Sequence, residues 1–411
     1  MRAYRQVYLY LFSYAANAVL SFGTVSLLTH YLTTYDYGII NLYSSFLIFL
    51  MPFISGGILY PLSVEFFKKP PEKYSAFFSE AQIIPIISVC VFTILCLLFQ
   101  GPLSRFLNVS YGWTWVLPLF TWTIMINETV MLIARNKGKP LQFAAFSIGK
   151  NALEIILTIL FVIGIHLSWQ GRLLSAFLAP FILAMLSIYL FYRWRLLEKI
   201  LSSKNIKAIF LLSIPFIFER LSIFVMGYSD KYFINKFDKG GTAEVGLYGL
   251  ATQIASIIYL IIVSLNSAYH PHLFKNMSKV FDHKIQKSTF LYIGAVGVAV
   301  AGIFICIPFL FNYFIGANFH AAQSYTYILI SGYFMWGVYN AFVGYLLYLS
   351  KNRQIFFISI AGMVASLSLN AIMVPHYGAF GAAITSVATY SLMALLSFLY
   401  VRKCYLIKPQ G

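Results

Sequence analysis

Residues 288–312 read STFLYIGAVGVAVAGIFICIPFLFN, 25 positions without one charged side chain. As a helix rising about 1.5 Å per residue, this run reaches about 37 Å, more than the roughly 30 Å of bilayer hydrocarbon. In water every face of such a helix would need a partner. In lipid only its backbone must be satisfied, and a helix does that internally. The run therefore reads as a membrane span. Eleven comparable runs accompany it, at about 7–31, 38–63, 79–99, 114–134, 143–165, 173–192, 208–230, 245–269, 322–349, 355–374 and 379–401. Of the 411 residues, 60% are hydrophobic and 10% charged, whereas a soluble domain carries about 25% charged residues. The expected fold is an all-α polytopic membrane protein with about 12 transmembrane helices.

The net charge of +17 would suit nucleic acid if it were gathered in one basic domain, but Lys and Arg fall in short links between apolar runs. No nucleic acid is expected as partner. Cytoplasmic segments gain 22 of the 29 Lys and Arg if the N-terminus lies inside, and the outer loops only 5, Arg172 and Lys231 among them. That bias predicts cytoplasmic N- and C-termini. Arg2 and Arg5 ahead of an apolar stretch mimic a signal peptide. The apolar run continues to about Leu32, however, and so reads as an uncleaved first span. Cys90, Cys96, Cys306 and Cys404 form no CxxC or Cys/His pattern, so neither a metal nor a disulfide framework is expected.

The chain divides into halves: an N-terminal six-helix lobe over 1–192, a cytoplasmic interfacial linker over 193–207 and a C-terminal six-helix lobe over 208–411. The linker (RWRLLEKILSSKNIK) reads as an amphipathic helix on the membrane surface. Lys275 to Lys287, with His270, His272 and His283 nearby, reads as a basic loop facing the leaflet. HYLTTYDYGIINLYSS (30–45) resembles KYFINKFDKGGTAEVGLYGLA (231–251), with Gly38 and Gly246 in equivalent places; Gln142 and Ser147 likewise match Gln354 and Ser359. Copies six spans apart share one orientation, so the lobes are expected to be related by a pseudo-two-fold along the membrane normal and to flank a cavity.

LLTHYLTTYDYGIINLY (27–43), SDKYFINKF…EVGLYGLA (229–251) and YGAFGAAITSVATY (377–390) carry a family resemblance that runs from about residue 7 to 401. The chain resembles the Wzx-type O-antigen flippases, in the polysaccharide-exporter branch of the multidrug/oligosaccharidyl-lipid/polysaccharide superfamily. The resemblance implies a bacterial cytoplasmic-membrane protein that moves undecaprenyl-diphosphate-linked oligosaccharide from inner to outer leaflet. It also implies membrane lipids, and polymerase and chain-length proteins of the same pathway, as partners.

Five charged residues fall well inside the spans, away from their ends: Glu128, Lys150, Glu154, Glu219 and Arg220. Each costs at least ~2.5–3.5 kcal/mol at the bilayer centre, so each is expected to face a partner or a cavity. Ser147, Lys150, Asn151, Glu154 and Thr158 follow helical spacing and form one polar stripe, on which Lys150 and Glu154 can pair. One reading makes this pair a helix lock; the other makes Lys150 a diphosphate contact that Glu154 tunes. Arg220 carries a fork suited to phosphate, or else locks to Glu128 or Glu154. Asn17 and Asn151 complete the candidate substrate set, and Ser359, Ser366 and Asn370 form a milder stripe. No cofactor is expected; a proton- or sodium-coupled cycle would draw on Glu154, Glu128 or Glu219. Pro52, Gly56, Gly57 and Pro61 predict a bend in the second span, with no counterpart in the eighth.

Two other functions compete. A cation-coupled multidrug exporter of the same superfamily often carries a carboxylate in the first span, where this chain has Asn17. A membrane polysaccharide polymerase or glycosyltransferase needs a large outer catalytic loop, and the longest outer loop here is 231–244. No nucleophile–base set, P-loop or dinucleotide fingerprint appears either.

Overall fold

The computed structural model describes residues 2–198, 202–277 and 283–406. Its helices are α1 (Arg2–Tyr31), α2 (Thr34–Ser55), α3 (Leu59–Lys68), α4 (Pro71–Leu98), α5 (Gln100–Leu107), α6 (Tyr111–Asn136) and α7 (Pro140–Thr158). They continue with α8 (Ser168–Arg193), α9 (Ser203–Tyr228), α10 (Asp230–Phe237), α11 (Gly241–Asn276), α12 (His283–Phe314), α13 (Ala322–Tyr348) and α14 (Asn352–Leu406). There is no β-strand among the described residues. Proline opens α4 and α7, at the position where its missing N–H costs no helical hydrogen bond.

Ten of these helices are long and apolar enough to cross a membrane. One of the ten, α14, has 55 residues and breaks at Gly378 (φ 55°, ψ −139°), a conformation closed to residues with a Cβ. Its two arms match the eleventh and twelfth expected spans. The tenth expected span is α13, 27 residues rich in Tyr and Gly. The second span is broken between α2 and α3, where Gly56 and Gly57 have φ of 56° and 70°, while α11 continues unbroken for 36 residues.

Packing divides the chain into two compact units. The first takes residues up to Leu32 together with Ile39–Phe224; the second takes Thr33–Gly38 and everything from Val225 onward. In the first unit, α9 sits against the α2–α3 break. A Cβ on Gly57 would lie 2.5 Å from the Ser213 carbonyl oxygen, and the Tyr60 and Phe216 rings stack at 4.2 Å. Its core gathers Ile58, Leu62, Phe78, Met125, Ile133 and Phe191, all nearly inaccessible.

The link at 194–198 is not the amphipathic helix expected. Arg195 adopts a left-handed φ of 53° and the chain then runs without regular structure, held down by α4. Ser79 Oγ donates to the Leu196 carbonyl (3.0 Å) and accepts from Glu198 N–H (2.7 Å); Ser75 Oγ donates to Glu198 Oε1 (2.5 Å). Buried Glu80 accepts from Ser202 N–H (3.1 Å) and Asn205 Nδ2 (3.0 Å). Side chains on α4, donating and accepting, thus take the backbone bonds a helix would have made internally. Residues 199–201 of the linker and 278–282 of the basic loop lie outside the described residues.

In the second unit, Tyr37 from the first turn of α2 donates to Gln253 Oε1 (2.7 Å) and meets the Phe319 ring at 5.3 Å. The two repeat-related glycines meet here. A Cβ on Gly38 would run into the Thr242 carbonyl, and one on Gly246 into the Thr34 carbonyl. Each glycine faces the residue four positions before its counterpart, so the first residues of α2 and of α11 meet reciprocally at backbone contact.

Candidate functional site

Helices α1, α6, α7, α8 and α9 of the first unit carry the polar residues singled out by the sequence. They resolve into three groups. Asn17 and Asn151 form the first: Asn151 Nδ2 donates to Asn17 Oδ1 (2.8 Å), and Asn17 Nδ2 donates to Ser147 Oγ (2.5 Å). These amides tie α1 to α7 and spend much of their bonding capacity on each other.

Glu154 belongs to the second. It does not pair with Lys150, four residues earlier on the same helix. Its Oε1 takes Arg172 Nη1 of α8 at 2.6 Å, with both side chains about four-fifths buried. Arg172 also donates to Thr158 Oγ1 (3.3 Å), which shares a 2.8 Å hydrogen bond with Ser175 Oγ and donates to the Glu154 carbonyl (2.7 Å). The sequence placed Arg172 in an outer loop. It lies instead in the first turns of α8, brought close because Gly171 leaves room for the backbone of Phe161.

The third group is Glu128, Lys150 and Arg220. Glu128 of α6 lies in the electrostatic fields of Arg220 and Lys150. None of the three makes a hydrogen bond or an ion pair within 4 Å among the described residues, and the same holds for Glu219, exposed beside Arg220 on α9. Glu128 is exposed although its neighbour Asn127 is buried, donating to the Pro180 carbonyl (2.9 Å) and accepting from Ser187 Oγ (2.9 Å). One turn of α6 thus sends one polar residue into helix packing and leaves the next available. Arg172 and the five charges singled out by the sequence make three of each sign. Because Glu154 and Arg172 cancel, Lys150, Arg220, Glu128 and Glu219 remain. Such a set can receive an anion on its two cations.

Sequence reasoning also missed a polar centre in the second unit. Lys231, read as part of an outer loop, and Asp230, read as the last residue of the seventh span, open α10 with 5% exposure each. Tyr248 donates to Asp230 Oδ2 (2.6 Å), and Lys231 Nζ lies 5.4 Å over the Tyr228 ring. Burial pushes the Lys231 ammonium down to about 8 against the opposing pull of Asp230. The signal available was the adjacent tyrosines, which can bury a charge that a loop would leave in water.

Among known proteins, a family profile described as "Polysaccharide biosynthesis protein" matches residues 3–277, and one described as MatE matches 215–372. An uncharacterized membrane protein of Haemophilus influenzae (strain ATCC 51907 / DSM 11121 / KW20 / Rd) is 27% identical over 46% of this chain and 48% of its own length. The Lsg locus putative protein 1 of the same strain is 21% identical over 52% and 55%. The chain thus spans about half the length of the curated relatives it matches. Among solved structures, the inward-facing conformation of a multidrug resistance MATE family transporter of the MOP superfamily aligns over 96% of both chains at 16% identity, with a TM-score of 0.77. The lipid II flippase MurJ, in an inward closed conformation, aligns over 97% of this chain and 89% of its own at 15% identity, with a TM-score of 0.76. These likenesses show the fold.

Proposed function

This chain belongs to the polysaccharide biosynthesis protein family, and from that premise we propose that it is a flippase for undecaprenyl-diphosphate-linked oligosaccharide units. It works by alternating access in a bacterial cytoplasmic membrane, with both termini inside, and hands its product to the polymerase and chain-length proteins of the same pathway. The observation that carries this reading is Lys150. A lysine at membrane depth, with the carboxylate four residues away already taken by Arg172, is held ready for an anion from outside the fold. Arg220 supplies a second cation, and the shared neighbour Glu128 limits how tightly the diphosphate is held. A substrate that must leave again cannot be gripped by uncompensated charge. The polyprenyl tail stays in lipid, since a long apolar chain gains nothing by entering a polar site.

The test is the fate of lipid-linked sugar in cells lacking the protein. Single repeat units should accumulate facing the cytoplasm while surface polysaccharide disappears. Unpolymerised single units at the surface would instead identify a polymerase. The match of residues 215–372 to MatE favours one second reading, cation-coupled drug export. Unchanged lipid-linked sugars together with increased drug sensitivity in the same cells would select it. Coupling to a proton or sodium gradient through Glu128 or Glu219 is part of either scheme.

A further inference from the structure

On an isolated helix, Lys150 and Glu154 would be ion-pair neighbours, four residues apart on one face. The structure separates them. Glu154 is drawn toward α8 by Arg172, and that guanidinium is itself seated by Thr158, whose hydroxyl bonds Ser175. When Thr158 donates in the bond between the two hydroxyls, the Ser175 hydroxyl is left to donate to the Arg172 carbonyl (2.8 Å), which closes the network on α8. Two features of the chain make the approach possible. The last turns of α7 widen into a π-helical segment at Ile159–Gly164, and Gly171 lets α8 come within van der Waals contact of the Phe161 backbone. Neither feature is needed to bury a helix; together they bring the Arg172 guanidinium to Glu154.

We infer that Arg172 is a positioning residue for anion recognition: it sequesters Glu154 so that Lys150 stays free to take the phosphate oxygens of the substrate. The inference rests on the flippase reading for the identity of that anion. The groups facing Lys150 are consistent with the role. Helix α6 contributes Glu128, whose field is shared with Arg220, α7 itself contributes Glu154, and the neutral Asn17 of α1 is occupied with Ser147 and Asn151. Removing Arg172 would release a second carboxylate one helical turn from Lys150, and that carboxylate would compete with the ligand at effective concentrations no free diphosphate can match. Arg172 itself needs no contact with substrate.

A double-mutant cycle separates these roles, using the purified full-length protein in nanodiscs and farnesyl diphosphate as a soluble lipid-diphosphate probe. Arg172→Ala should weaken binding by about tenfold or more, Glu154→Gln should not weaken it, and the double variant should bind like Glu154→Gln, a coupling of the size seen for contacting charges. A double variant as weak as Arg172→Ala would overturn the inference, because Arg172 would then act on the ligand or on the fold directly. Loss of binding in Glu154→Gln, or native binding in Arg172→Ala, would overturn it as well. If Arg172→Ala does not accumulate as a monodisperse protein, Arg172→Gln takes its place in the same cycle. Lys150→Ala keeps the two levels apart. Undiminished binding in that variant removes Lys150 from the anion site and with it the reading beneath. Lost binding there, with no coupling between residues 154 and 172, removes the inference alone.

Discussion

At the scale of single residues, the polar side chains within the spans divide by what they touch. Asn17, Ser147 and Asn151 are occupied with one another, and Glu154 with Arg172. Lys150 and Arg220 each act on Glu128 through space, and none of the three has a hydrogen bond or ion pair among the described residues. Replacing both Lys150 and Arg220 with Ala should therefore abolish surface polysaccharide while the protein remains at its normal level in the membrane, as immunoblotting would check. Full export by the double variant would end the assignment. Lys231 provides a test by pH. Its folded value, about 8, lies below the ~10.4 of a free lysine, so between these the unfolded chain binds more protons. Stability should rise as pH increases from about 8 to about 10.4, and the gain should disappear as pH falls back through 8. Thermal unfolding in detergent, compared between native protein and Lys231→Met, would show the slope in the first and its loss in the second.

At the scale of elements, two close approaches carry the arrangement. The contact between the first residues of α2 and of α11 needs the absence of a Cβ at both Gly38 and Gly246, because each position faces a backbone carbonyl that cannot move aside as a side-chain tip could. Gly38→Ala and Gly246→Ala should each cost more than about 2 kcal/mol, seen as lower accumulation and a lower Tm, whereas Gly23→Ala, with open space around it, should be tolerated. The second approach is at the break in α14. Asp238 Oδ2 accepts from Ala379 N–H (2.8 Å), capping the arm that follows Gly378, while Oδ1 accepts from Gly240 N–H (2.7 Å). Asp238→Ala removes a helix cap and should cost about 1 kcal/mol, while Asp238→Asn keeps the acceptor and should cost less.

At the scale of the whole molecule, the loop charge bias makes a prediction about sidedness. In a background without the four native cysteines, Ser110→Cys and Lys239→Cys should react with a membrane-impermeant maleimide in intact cells. Lys73→Cys and Lys351→Cys, also exposed, should react only after permeabilisation. The reverse pattern would invert the proposed topology. Much of this molecule was readable beforehand. Spans appear as long uncharged runs because the cost of a backbone group in lipid is paid residue by residue. The bend at Gly56–Gly57 was visible because proline and glycine act locally, as does the break at Gly378 once the YGAFGAAITSVATY signature is seen to contain it. The fate of a charge was not readable in this way. Arg172 and Lys231 looked like loop residues because span boundaries blur by several positions, and the linker looked helical because its serine and glutamate partners lie about 120 residues away on α4.

The sequence by itself determined that this chain is a stack of membrane helices, how many there are, and which glycines are equivalent between its halves. Those properties come from the free energy of transferring short segments, each evaluated almost alone. Only the tertiary structure decided that Glu154 turns to Arg172 rather than Lys150, that Asn17 is spent on Asn151, and that Gly38 and Gly246 meet each other's helix. Each outcome depends on which of several competing partners comes within about 3 Å, and that distance is set by the packing of helices far apart in sequence.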